Sequence, residues 1–316
     1  MIFFNLKKII DFFLKKNKKM ASKQIRKANP EYDNITYDNI KNCKALTDAE
    51  IKKEFTKLRK LKCDTNTRSF CANKIIYHYM LEHMLNTRRD VKNYKLLSEI
   101  FDDDSAKKKI IDYTIKLNRR KKLDYIEPVD VYECFRFCKG SINTFKAGTV
   151  KYLINRFKAT AMLDFTAGWG GRLLGAMATD TKYIGIETNT NLKEGYKGMM
   201  ALGEGAEMIW QSCLDVDFST LDYDFVLTSP PYINLEMYEE MPLFKDKETY
   251  YKKFLDPMIR KCVKHIKNNG AVLINISDYM YEDYIKYGGM ECVEKIDLLQ
   301  QMGGKPNKEV VYVFRT

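Results

Sequence analysis

Ser229, Pro230, Pro231 and Tyr232 follow directly on an apolar run, Phe225, Val226, Leu227 and Thr228. Two adjacent prolines fix their backbone dihedrals and carry no N–H. The turn therefore offers carbonyl oxygens and one hydroxyl in a rigid frame. Acceptors of this kind suit an exocyclic amine, whose lone pair is delocalised into its ring. Hydrogen bonds to both of its N–H groups help to localise that pair for attack. Tyr232 would supply a flat face for a base drawn out of its helix, as chemistry on a duplex base requires. Ser229, Pro230, Pro231 and Tyr232 are thus the candidate catalytic residues. A Pro-Pro turn that only ends a buried strand is the plainer alternative.

About sixty residues upstream lies a second turn, Asp164, Phe165, Thr166, Ala167, Gly168, Trp169, Gly170 and Gly171. Closely spaced glycines between a strand and a helix let the backbone approach a ligand and aim free amides at it. A dinucleotide fingerprint would need a further glycine at position 173, where Leu173 stands, so nicotinamide cofactors are disfavoured. Glu187 ends the next apolar run, where an acid can bind ribose hydroxyls. Asp215 follows the third, within reach of an adenine amino group. Acids at the C-terminal ends of successive strands outline a ligand crevice, although each alone is also an ordinary turn residue.

Those side chains need a sheet to hold them. Short apolar runs at 162–165, 183–187, 207–210, 225–228, 271–276 and 309–314 read as strands, and amphipathic spacing between them reads as helices. Val150, Leu153, Ile154 and Phe157 mark one such helix, and Leu173 to Met177 lie in another. Strands alternating with helices predict an α/β fold with a doubly wound, mostly parallel sheet. Ahead of this, four helices are expected near 47–61, 68–86, 91–101 and 106–119. Thr47 and Glu50 form a capping box at the first, and the acids at 102–104 cap the last. Pro128 closes the region. Three segments result: an N-terminal helix and polar arm (1–44), a basic helical domain (45–128) and the α/β domain (129–316).

Charge is distributed unevenly among them. The net +12 is concentrated in the first half: residues 1–150 carry a balance of +15 and residues 151–316 a balance of −3. A polyanion partner fits that asymmetry, with a lysine-rich solvated surface as the alternative. Arg119, Arg120, Lys121 and Lys122 suit the C-terminal end of a helix dipole, and phosphate contact is the sharper reading of the same cluster. Eight cysteines without a CxxC pair, and three histidines, fit no common zinc pattern, so no metal is expected. The apolar stripe of residues 1–14 reads as a packing helix, a membrane-surface helix or an extension ahead of Met20. It lacks the form of a signal peptide, and an intracellular protein without membrane partners is expected.

From 143 to 316 the chain resembles the AdoMet-dependent amino-methyltransferases of nucleic acids, of the N4-cytosine and N6-adenine type. Residues 164–171 match the family's cofactor turn, Glu187 its ribose acid, Asp215 its adenine-side acid and residues 229–232 its catalytic tetrapeptide. Asn143 to Lys146, including Phe145 and Lys146, are similar to the segment that closes over the methionine end of S-adenosyl-L-methionine (AdoMet). The run from Phe165 to Gly175 resembles DNA methylases of phages and large DNA viruses. The resemblance implies a Rossmann-like class I methyltransferase fold with an antiparallel C-terminal strand, AdoMet as cofactor and DNA as partner. Serine at the head of the tetrapeptide ranks cytosine ahead of adenine. The sixty residues between the two turns leave no room for a recognition domain there. Target recognition would then fall to the basic helical segment and to loops 234–247 and 300–308. RNA base methylation, methylation of a protein glutamine and an inactive nucleic-acid-binding subunit are the alternatives.

Overall fold

The computed structural model describes residues 35–64, 70–89, 94–120, 125–140, 142–231, 236–237, 244–302 and 305–315. The N-terminal stripe, Tyr232 and residues 121–122 lie outside them.

Seven strands form the main sheet. They are β1 (Ala161–Asp164), β2 (Lys182–Ile186), β3 (Ala206–Ile209), β4 (Phe225–Thr228), β5 (Ala271–Asn275), β6 (Glu294–Met302) and β7 (Lys305–Phe314). Their order is β3-β2-β1-β4-β5-β7-β6. The first five are parallel, and β7 runs antiparallel to both β5 and β6. This is the expected doubly wound, Rossmann-like sheet with its antiparallel C-terminal strand, β7; β6 runs in the direction of the first five. Burial on both faces explains why β1, β4 and β5 read as unbroken apolar runs.

Alternate residues of each strand enter different cores. Met162, Tyr183, Phe225, Leu227 and Leu273 face one. Leu163, Ile184, Val226, Val272 and Ile274 face the other. The helices, in chain order, are α1 (Tyr37–Lys41), α2 (Asp48–Lys60), α3 (Asn73–Leu85), α4 (Leu97–Phe101), α5 (Asp104–Arg120), α6 (Pro128–Lys139), α7 (Ala147–Phe157), α8 (Gly171–Met177), α9 (Lys193–Met200), α10 (Lys247–Tyr250), α11 (Asp256–His265) and α12 (Asp278–Lys286). Between α10 and α11 the helix passes through a π-helical stretch, Tyr251–Leu255. Side chains of α2, α3, α7, α8 and α9 fill the first core, and those of α11 and α12 the second.

The capping box expected at Thr47 and Glu50 is present. Asp103 caps α5 by accepting from the Ala106 N–H at 3.0 Å. Three expectations need correction. The polar arm ends in α1, a single turn capped by Thr36. Pro128 opens α6 instead of closing a region, because proline at the first helical positions loses no hydrogen bond. Strand β6 was not foreseen, although Ile296 and Leu298 alternate there with charged residues and are buried.

Residues 36–316 form one compact unit. Residue 128 marks a change of sequence pattern, while Ile51, Phe55, Leu58, Ile75, Ile76 and Met80 from its N-terminal side belong to the sheet's own core. Two polar ties reinforce that junction. Lys151 on α7 donates to the Leu58 carbonyl at 3.0 Å and also to that of Arg59, satisfying the end of α2. The Arg59 guanidinium grips the Asp180 carboxylate at 2.7 and 2.8 Å.

Candidate active site

The site begins with strand pairing. β1 and β4 are parallel neighbours, with Met162 opposite Phe225 and Leu163 opposite Val226. Chain order reverses between them, and at such a point the turns leaving the C-terminal strand ends splay to form a crevice. The glycine turn follows β1 and the Ser-Pro-Pro turn follows β4. Pairing alone therefore places the two predicted motifs side by side.

A polar network joins them. Asp164, with 0% of its surface exposed, accepts from Arg172 Nε at 2.7 Å, Tyr183 Oη at 2.9 Å and Thr228 Oγ1 at 2.8 Å. Burial works against the Arg172 charge, yet the Asp164 carboxylate beside it holds the guanidinium above its ordinary pKa. Burial, and then the Asp164 charge, push the Tyr183 phenol well above its own. Thr166 bonds Thr228 through their hydroxyls and donates to the Ser229 carbonyl at 3.1 Å. Arg172 reaches the Ser229 hydroxyl through Nη1 at 3.2 Å. Predicted as a cofactor residue, Asp164 is placed as the buried hub of the two turns.

Backbone conformation carries the glycine turn. Gly168 and Gly170 have φ of +60° and +82°, where a side chain would be strained. A Cβ on Gly171 would stand 2.1 Å from the Phe145 carbonyl oxygen, so the 143–146 segment rests directly on the turn. The Phe145 ring lies under the Arg172 guanidinium at 5.7 Å. Lys146 precedes α7 and is buried, with Nζ 4.9 Å from the centre of the exposed Phe70 ring. Phe145 is thus brought to the glycine turn.

Glu187 leaves β2 and bridges two turns. Its carboxylate accepts from the Gly168 N–H at 2.8 Å, and from those of Thr188 and Asn189 at 2.9 and 3.0 Å. Burial raises its pKa, and these backbone hydrogen bonds oppose the rise without cancelling it. Asp215 sits apart on an exposed loop after β3. Lys261 of α11 anchors that loop by donating to the carbonyls of Cys213, Leu214 and Val216. Phe165 and Ala167 are buried: Phe165 packs in the second core and Ala167 in the first.

At the other turn Pro230 is buried between half-buried Ser229 and Pro231. Thr166 holds the Ser229 carbonyl, and the Tyr250 hydroxyl holds that of Pro231 at 2.9 Å. The Pro230 carbonyl is framed by two anchored neighbours. The Ser229 hydroxyl donates to Asn275 Oδ1 at 3.0 Å.

Arg172, Tyr250 and Asn275 are functional candidates that the sequence did not single out. Only Arg172 carried a signal, as a charge inside an apolar helix start. A fourth is Asn73. Its Oδ1 is the one buried side-chain polar atom among the described residues without a hydrogen-bond partner. It lies three residues before Ile76, whose side chain is 3.5 Å from the Cβ position of Gly171. Arg119 and Arg120 complete α5; their side chains, like Lys121 and Lys122, lie outside the described residues. Among those residues no group of His, Cys, Asp and Glu is arranged to hold a metal, and no helix is long and apolar enough to cross a membrane.

No protein-family model matches the sequence, and no curated protein sequence does. Several solved structures are similar to part of the chain. A precorrin-6y C5,15-methyltransferase from Geobacter metallireducens is 12% identical, with 54% of this chain and 88% of that one covered and a TM-score of 0.36. A putative O-methyltransferase from Klebsiella pneumoniae is 9% identical, covering 66% and 90%, with a TM-score of 0.37. TrmN from Thermus thermophilus is 14% identical, covering 53% and 48%, with a TM-score of 0.38.

Proposed function

We propose that this protein transfers the methyl group of AdoMet to the exocyclic amino group of a DNA base, N4 of cytosine ahead of N6 of adenine. One observation carries the reading: a glycine turn and a Ser-Pro-Pro turn leave adjacent parallel strands and are bonded to each other through Thr166, Arg172 and Ser229. A cofactor turn is thereby held against a turn of fixed acceptors.

The chain's residues fit AdoMet. The close-approaching backbone of the turn at Gly168–Gly171 and the Glu187 carboxylate at its edge suit its ribose, and Asp215 its adenine. Asn73 Oδ1, a buried acceptor one helical turn from Ile76 beside Gly171, would suit the ammonium of the methionine end. When bound, AdoMet supplies an electrophilic methyl group on a sulfonium. Ser229 and the Pro230 carbonyl accept hydrogen bonds from the amine, directing its lone pair at the methyl carbon. An N–C bond forms as the C–S bond breaks, its electron pair stays on sulfur, and the amine proton leaves to solvent. Positioning and fixed dipoles supply the rate, with no covalent enzyme intermediate. Tyr232 would stack on the extruded base. The basic first half, with Arg119, Arg120, Lys121 and Lys122, would hold the phosphates.

A methyl-transfer assay with labelled AdoMet on duplex DNA, single-stranded DNA and RNA tests this, with products digested to nucleosides and identified by mass. N4-methylcytosine from DNA, formed more slowly with Ser229→Ala, is the expected result. N6-methyladenine keeps the chemistry and changes the base; label only in RNA overturns the DNA assignment. No AdoMet binding by calorimetry overturns the whole reading.

A further inference from the structure

We infer that Asn275 and Arg172 are positioning residues that lock the Ser229 hydroxyl as a hydrogen-bond acceptor, so that the target must present an N–H to it. The inference rests on the proposed methyl transfer and assigns two residues that act through Ser229 without touching substrate.

The argument is a proton count. A serine hydroxyl has one proton and two lone pairs. Arg172 carries only donors, so its contact with Ser229 at 3.2 Å occupies a lone pair. Asn275 Oδ1 can only accept, and at 3.0 Å it takes the proton. One lone pair remains. Neither partner is free to turn. Asn275 is 3% exposed, and its Nδ2 donates to the Val310 carbonyl at 2.9 Å, which fixes the amide with its oxygen towards Ser229. Arg172 is pinned through Nε by Asp164 and through Nη2 by the Thr166 carbonyl.

Two chemical consequences follow. Ser229 has no proton to give an amine lone pair, a bond that would tie up the electrons meant for the methyl carbon. Nor does it act as a nucleophile, since the amide of Asn275 is no base. Its remaining role is to accept from an amine N–H.

The experiment is a double-mutant cycle of Asn275→Leu and Ser229→Ala, read by kcat, KM and AdoMet affinity. Freed from Asn275, the hydroxyl can turn its proton to the amine, so Asn275→Leu should lower kcat roughly tenfold, the scale of one hydrogen bond. KM for DNA and AdoMet affinity should stay within about twofold, because neither contact involves Asn275. The double variant should be no slower than Ser229→Ala alone. Wild-type kcat in Asn275→Leu, or losses that multiply in the double variant, would overturn the assignment. Thermal unfolding of the same four proteins reads the pairing without activity. Should the wild type methylate no polymer, the proposed function fails. Non-additive melting shifts would then still support the Ser229–Asn275 bond, and additive shifts would refute it.

Discussion

Replacing Asp164 by asparagine tests whether this residue is a hub or a cofactor ligand. The carboxylate is fully buried and paired with Arg172, itself 7% exposed. Asparagine keeps the shape and one acceptor oxygen, but it turns an amide N–H₂ towards donors and leaves the guanidinium uncompensated. Breaking a buried pair from one side costs about 3–5 kcal/mol, against a typical total stability of roughly 5–15 kcal/mol. Urea unfolding should therefore show a loss of about that size. Asp164→Asn/Arg172→Gln should recover part of it, because the amides can bond and no charge remains stranded. A variant with a wild-type midpoint that had lost only AdoMet affinity would refute the hub and make Asp164 a direct ligand.

Other expectations follow from single contacts. Gly171→Ala would drive a Cβ into the Phe145 carbonyl at 2.1 Å; overpacking of this kind costs about 1–3 kcal/mol, and calorimetry should show AdoMet affinity reduced by tenfold or more. Tyr250→Phe removes the donor to Pro231, at a cost of about 1 kcal/mol, and should lower kcat while leaving AdoMet affinity unchanged. Glu187 has its pKa raised by burial. Burial makes its proton harder to lose in the fold than in the unfolded chain, so its contribution to stability is present at low pH and fades as pH rises through the raised value. Ribose hydroxyls need the ionised form. AdoMet affinity, measured by titration across pH, should fall as pH drops through the same value, and Glu187→Gln should flatten the profile.

Local signals were legible because one stretch of chain suffices to write them. β1, β4 and β5 announced themselves as buried runs, and Gly168 and Gly170 of the glycine turn stand at positive φ. Both halves of the site could be named in this way, and strand alternation was enough to make them neighbours. What ties them could not be read. Ser229 and Asn275 are 46 positions apart, and Thr228 and Asp164 are 64; no periodicity links such pairs. The Asp164 carboxylate was assigned to the cofactor because its position in the motif is visible, whereas its three partners are tertiary facts. Pro128 misled for a different reason: proline signals both the end of one element and the start of another.

The sharing of one core by α2, α3 and the sheet bears on how such a protein can diversify. Were the first hundred residues a separate module, a new target preference could be acquired by exchanging that module whole. Here Ile51, Phe55, Ile76 and Met80 are also structural members of the sheet's core, and Lys151 and Asp180 are matched to the end of α2. A transplanted helical segment would arrive with the wrong interior. On the proposed function, a change of target would have to proceed through the outward-facing side chains, one substitution at a time, while the inward face is inherited with the sheet.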